Sequence, residues 1–208
     1  MIFARIISLL FHPLLLATYL FSLFAFLFPV AFEPIREDAM WKFIMLVFCF
    51  TFVLPALNVG LFRSMGTITS VTMRERKERT IPFFFIMLLY GAVTFLFYDR
   101  NEVSLNDNFL KFLLVIDALV FVSAIITLFY KISVHSIAAW GFIGILLPLN
   151  GVSETGVFFY PTVISIAMAG VIMSARLKLH VHTLREVAIG SMVGLGTGVF
   201  MMNLLFRY

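Results

Sequence analysis

Seven apolar runs, most of them long enough to cross a bilayer, leave this chain one solvent, which is lipid. They fall at roughly 9–32, 41–63, 82–98, 109–130, 134–149, 157–175 and 184–206, the third and fifth being shortest. A membrane helix needs about 20 apolar residues. A barrel strand would alternate apolar and polar residues with period two. These runs are apolar on every side, so they read as helices, which satisfy their own backbone groups. Composition agrees: 12% of residues are charged and 62% hydrophobic, whereas a soluble domain carries roughly 25% charge. The expected fold is all-α, a polytopic bundle of about six to seven transmembrane helices. Residues 1–208 read as one integral membrane domain. Arg5 followed by an apolar run resembles a signal peptide. The run is too long for that and lacks a small-x-small cleavage site, so an uncleaved first span is expected.

The single cysteine, Cys49, lies in an apolar run and excludes an internal disulfide and a cysteine-based metal site. The 26 Phe and 11 Met suit lipid-facing and helix-packing surfaces and call for no cofactor. Nothing reads as a nucleic-acid arm. Alternating spans put the N-terminus, the 64–81 loop, the joint at Lys131 and the 176–183 loop on one face. Ten of the 15 Lys and Arg lie there, which directs that face to the cytoplasm of a bacterial-type cell membrane. Four of the ten, Arg74, Arg79, Lys131 and Arg176, belong to the constellation described next. Without them six basic residues face five, and the bias is slight.

Three polar segments share this face. Arg74-Glu75-Arg76-Lys77-Glu78-Arg79 opens the third span, Lys131-Ile132-Ser133-Val134-His135 the fifth, and Arg176 to Glu186 joins the sixth to the seventh. Guanidinium groups grip phosphate bidentately, and histidine is a nucleophile or proton donor near neutral pH. His182 and Glu186, four residues apart, share a helix face. There the carboxylate fixes the imidazole tautomer and stabilises its developing charge. The combination suits phosphoryl transfer through a phosphohistidine. No second acidic cluster is present to hold magnesium, so no metal is implied.

The pattern resembles the type-2 phosphatidic acid phosphatase superfamily, which includes the vanadium haloperoxidases and carries the motifs KxxxxxxRP, PSGH and SRxxxxxHxxxD. Ile132-Ser133-Val134-His135 is similar to the second, with Ile and Val for Pro and Gly. Ala175-Arg176, five residues, His182, three residues and Glu186 are similar to the third, with Glu for Asp. The first motif is weakest: counting back from Pro82 puts Arg74 in the lysine slot and Ile81 in the arginine slot, with Arg79 two residues away. The resemblance covers roughly residues 72–190. It implies a metal-independent phosphatase acting on a membrane lipid phosphate or polyprenyl phosphate. His182 would be the nucleophile, Glu186 its orienting acid and His135 the proton donor to the leaving group. Ser133, Arg176, and Arg79 or Arg74 would hold the phosphoryl oxygens, with Lys131 beside them.

Other readings stand beside this one. The 74–79 run also suits a solvated loop that meets anionic head groups. Lys131 and Lys178 suit snorkelling anchors, His180 a surface residue, and His182 with Glu186 a helix cap. Asp117, in mid-span, suits a structural hydrogen bond to a partner such as Asn58, or a proton path. Gly190, Gly194 and Gly198 recur every four residues and read as a close helix contact. A catalytically weak relative that binds phosphorylated lipids, and a membrane transporter, are the alternative functions.

Overall fold

The computed structural model describes residues 1–32, 37–70, 73, 75–100 and 107–206. The protein is all-α, with no strand among the described residues. The helices are α1 (Ile2–Leu10), α2 (Leu16–Leu27), α3 (Glu37–Phe48), α4 (Leu54–Ser64), α5 (Arg76–Arg100), α6 (Asn108–Phe129), α7 (Val134–Val152), α8 (Phe159–Lys178) and α9 (Leu184–Phe206). Seven helical segments among the described residues are long and apolar enough to cross a membrane. Large apolar side chains point outward, with Phe26 86%, Phe129 80% and Met192 74% exposed, as lipid contact requires. The chain is an integral, multi-pass membrane protein.

Two spans differ from the sequence expectation. The first begins near Ile2 rather than residue 9 and is broken. α1 ends at Leu10, and a 3₁₀ turn, Pro13–Leu15, intervenes before α2. Pro13 lacks an N–H and restricts His12 to extended backbone (φ −65°, ψ 137°), which stops α1 before it. The third span begins at Arg76 rather than residue 82. Its charged first turn is helical, and Glu78 there accepts from the backbone and hydroxyl of Thr69. Pro82, the seventh residue of α5, lies inside the helix and cannot donate to the carbonyl four residues back, that of Glu78.

The helices pack as two compact units, Met1–Leu16 with Lys131–Tyr208, and Ala17–Tyr130. In the second unit the core is aromatic. Phe21 and Phe32 are fully buried, and Phe21, Phe43 and Phe109 meet with ring centroids 4.7–5.7 Å apart, in tilted or edge-to-face contacts. Between α3 and α4 the chain widens into a π-helical turn, Cys49–Val53, where the Leu54 N–H donates to the Cys49 carbonyl. Pro55 is the cause: it has no N–H, and its ring crowds the carbonyl four residues back, Thr51. The released Thr51 carbonyl accepts from the Tyr90 hydroxyl of α5 at 2.7 Å, as lipid demands of a freed backbone group.

In the first unit, α1 lies on the end of α8, with Ala4 and Ile7 against Ile172 and Ala175. α7 and α9 form the tightest pair. A Cβ on Gly190 would sit 2.8 Å from the Ser133 oxygen, one on Gly194 2.2 Å from that of Ile137, and one on Gly198 2.8 Å from that of Gly141. The paired numbers rise together, so the two helices run parallel with their N-terminal ends side by side.

Candidate functional site

Two helix N-termini meet at one end of this unit. Ser133 caps α7, and its backbone N–H donates to the Glu186 carbonyl in the first turn of α9 at 3.4 Å. Each terminus contributes unpaired N–H groups and a positive dipole end, a setting that favours anions.

His182 stands two residues before α9 and is buried, 7% exposed. Its Nδ1 stands 2.7 Å from Glu186 Oε2. A carboxylate only accepts, which assigns a proton to Nδ1. The same Oε2 accepts from the Thr183 N–H at 3.3 Å, while Thr183 Oγ1 accepts from the Glu186 N–H at 3.3 Å. Thr183 and Glu186 thus form a reciprocal capping box. Glu186 therefore orients His182 and caps α9 with one carboxylate. The capping box is written in the sequence as Thr183-x-x-Glu186, a signature the reading of the third motif passed over.

His135 is the second residue of α7, and its Nε2 lies 3.0 Å from the Ser8 carbonyl. That carbonyl accepts, so Nε2 carries the proton and Nδ1 is left for a ligand. α1 delivers Ser8, and the break after α1 delivers His12. His12 Nδ1 accepts from the Leu14 N–H at 3.3 Å, and its ring stands edge-on to that of His135 with centroids 5.6 Å apart. Arg176, in the last turn of α8, is within electrostatic reach of both His135 and His12, and His182 is within reach of His135.

The structure therefore brings His182, Glu186, His135 and Arg176 to one end of the unit and adds His12, which belongs to none of the three motif-like segments but whose place early in the first span puts it near the same face in the sequence. Ser133 is at the same end, but its hydroxyl is fully buried and turned into the α7 cap. It accepts from the Ser136 hydroxyl at 2.9 Å and from the Ser136 N–H at 3.4 Å. Lys131 is half-buried two residues before Ser133 and forms no ion pair among the described residues. Arg79 belongs to the Ala17–Tyr130 unit. It is buried, and its Nε donates to the carbonyl of Met73, a residue with φ of +41°, at 2.8 Å. Arg74 lies outside the described residues. His180 is exposed and takes the left-handed conformation (φ +52°) that ends α8. Among the described residues no group of three or more His, Cys, Asp and Glu side chains is placed to hold a metal ion. Comparison with protein-family models, curated proteins and solved structures gave no match to this chain.

Proposed function

We propose that this protein is a membrane phosphatase that hydrolyses a lipid phosphate or pyrophosphate through a phosphohistidine, as its resemblance to the type-2 phosphatidic acid phosphatases implies. The observation that carries this is the 2.7 Å His182–Glu186 pair beside His135 and Arg176, at two parallel helix N-termini. His182 Nε2 attacks phosphorus. With the anionic phosphate bound, His135 enters this step doubly protonated, Nε2–H on the Ser8 carbonyl. The bond to the leaving oxygen breaks, and that oxygen takes its electron pair and the Nδ1 proton. A water then gives its proton back to His135 and attacks phosphorus, breaking the P–N bond and releasing phosphate. Glu186 holds His182 in the attacking tautomer throughout. Arg176 and the N–H groups of α7 bear the charge of the phosphoryl oxygens. Lys131, two residues before the α7 cap, adds positive charge on the same unit. Phosphatidate, phosphatidylglycerophosphate and polyprenyl pyrophosphates all carry the required group. The membrane in this proposal is a bacterial-type cell membrane, with the site on its cytoplasmic face.

A second reading, a relative that binds phosphorylated head groups without turnover, draws on two observations. The Ser133 hydroxyl is engaged in a helix cap, and Glu186 caps α9. Phosphate release from a panel of lipid phosphates, by purified protein in EDTA, separates the two. Release that persists in EDTA and is lost in both His182→Ala and Arg176→Ala is the expected result. No release from any substrate favours the binder, and release untouched by His182→Ala removes the assigned nucleophile.

A further inference from the structure

Asp117 carries a chemistry separate from the phosphate site. It is the tenth residue of the 22-residue α6, so at 1.5 Å per residue it lies about 14 Å from the helix start and about 18 Å from its end, deep in the hydrocarbon. Its Oδ1 is buried without a hydrogen-bond partner. Asn58, the partner expected from sequence, does not supply one, and its own Oδ1 is buried and unpartnered. Thr94 of α5 faces Asp117 instead. It is 6% exposed, and its Oγ1 is directed at the Asp117 carboxylate without closing a hydrogen bond of ordinary geometry. Tyr90, one turn earlier on α5, is within electrostatic reach of Asp117. Its hydroxyl proton goes to the Thr51 carbonyl released by Pro55, so the Tyr90 oxygen keeps its lone pairs.

Tyr90 is the titratable group facing Asp117 from α5, and the turn between α3 and α4 contributes a backbone carbonyl. Among the described residues no lysine, arginine or histidine pairs with Asp117. A lone carboxylate at this depth is costly and calls for a counter-charge. The two side chains that face Asp117 offer hydroxyl oxygens, the donors hard cations take. One carboxylate balances one positive charge, whereas a divalent ion would leave a net charge in lipid. We infer that Asp117, Thr94 and Tyr90 form a buried site for a small monovalent cation, a proton or a sodium ion.

Melting of the purified full-length protein in detergent tests this. Wild type, Asp117→Asn and Thr94→Val are compared in sodium chloride and in choline chloride at equal ionic strength, from pH 5 to 9. If the occupant is sodium, wild type melts several degrees higher in sodium than in choline, and the gap vanishes in Asp117→Asn and shrinks in Thr94→Val. If it is a proton, sodium has no effect and wild type loses stability as pH rises, while Asp117→Asn stays flat. Dicyclohexylcarbodiimide, which attacks protonated carboxyls in apolar surroundings, then modifies Asp117 less as pH rises. Should Asp117→Asn not fold, Thr94→Val and the modification of wild type carry the decision. Wild type and variants responding alike to sodium and to pH, with Asp117 modification insensitive to both, would overturn the inference.

Discussion

Glu186 holds two roles that substitution can separate. Its carboxylate fixes the His182 proton on Nδ1, and it closes the capping box with Thr183. Glu186→Gln removes the charge that fixes the tautomer. A carboxylate-to-amide change at the orienting position of a hydrolase triad costs about 10⁴ in turnover, so phosphate release should fall by about 10²–10⁴. Thr183→Ala removes a cap alone. It should cost about 1 kcal/mol of stability, visible as a lower melting temperature, with turnover within a few-fold of wild type. Equal losses of release in both variants would mean that Glu186 acts as a cap and nothing more. At this scale the sequence was half legible. The spacing of four anticipates the His182–Glu186 pair, although His182 stands before the Thr183 cap rather than on the helix. No spacing anticipates the contact of His12 with His135, because it is made across more than a hundred residues, through the packing of α1 on α8. The burial of the Ser133 hydroxyl in a cap was equally hidden, since Ser before an apolar helix suits a cap and a phosphate ligand alike.

Among the elements, the α7–α9 contact is the one whose sequence signal and geometry agree most closely. The four-residue glycine repeat announces a close approach, and the structure supplies the distances. Gly194→Ala places a methyl 2.2 Å from the Ile137 carbonyl oxygen and 2.8 Å from its Cα, both backbone atoms that yield little. Overpacking of this kind costs about 1–3 kcal/mol. That exceeds the gain of about 1 kcal/mol from replacing glycine in a helix. Gly196, two residues on, has nothing within 4 Å of its added Cβ, so Gly196→Ala keeps the propensity gain without the clash. Gly194→Ala should lower the melting temperature and Gly196→Ala should hold or raise it. Equal effects would sink the close-approach argument. Element ends were less legible for physical reasons. Charged residues at the head-group level can extend a helix, as at Arg76–Arg79, or end it, and hydropathy does not distinguish the two. The π-helical turn before Pro55 depends on Tyr90, a residue on another helix, to receive the freed carbonyl.

For the whole molecule, all seven spans could be read from hydropathy, while the grouping of helices could not. Apolar runs look alike from within the sequence, and nothing in them marks that Met1–Leu16 packs with Lys131–Tyr208 rather than with the span that follows it. Lipid is as apolar as Ile7, so burial of Ile7 and Ala4 adds little through water exclusion, and close packing against Ile172 and Ala175 holds α1 in place. α1 also carries the Ser8 carbonyl that fixes the His135 tautomer. Deleting residues 2–11 should therefore act locally. Amide hydrogen exchange should quicken in the last turns of α8 and the first turn of α7, while exchange in α5 and α6, which belong to the other unit, stays as in wild type. Phosphate release should fall by about a hundredfold, the typical effect of misplacing a reacting group by about 1 Å. If exchange rises equally in α5 and α6, α1 is a support of the entire chain rather than a strut of the site-bearing unit, and the argument that it positions His135 fails with it.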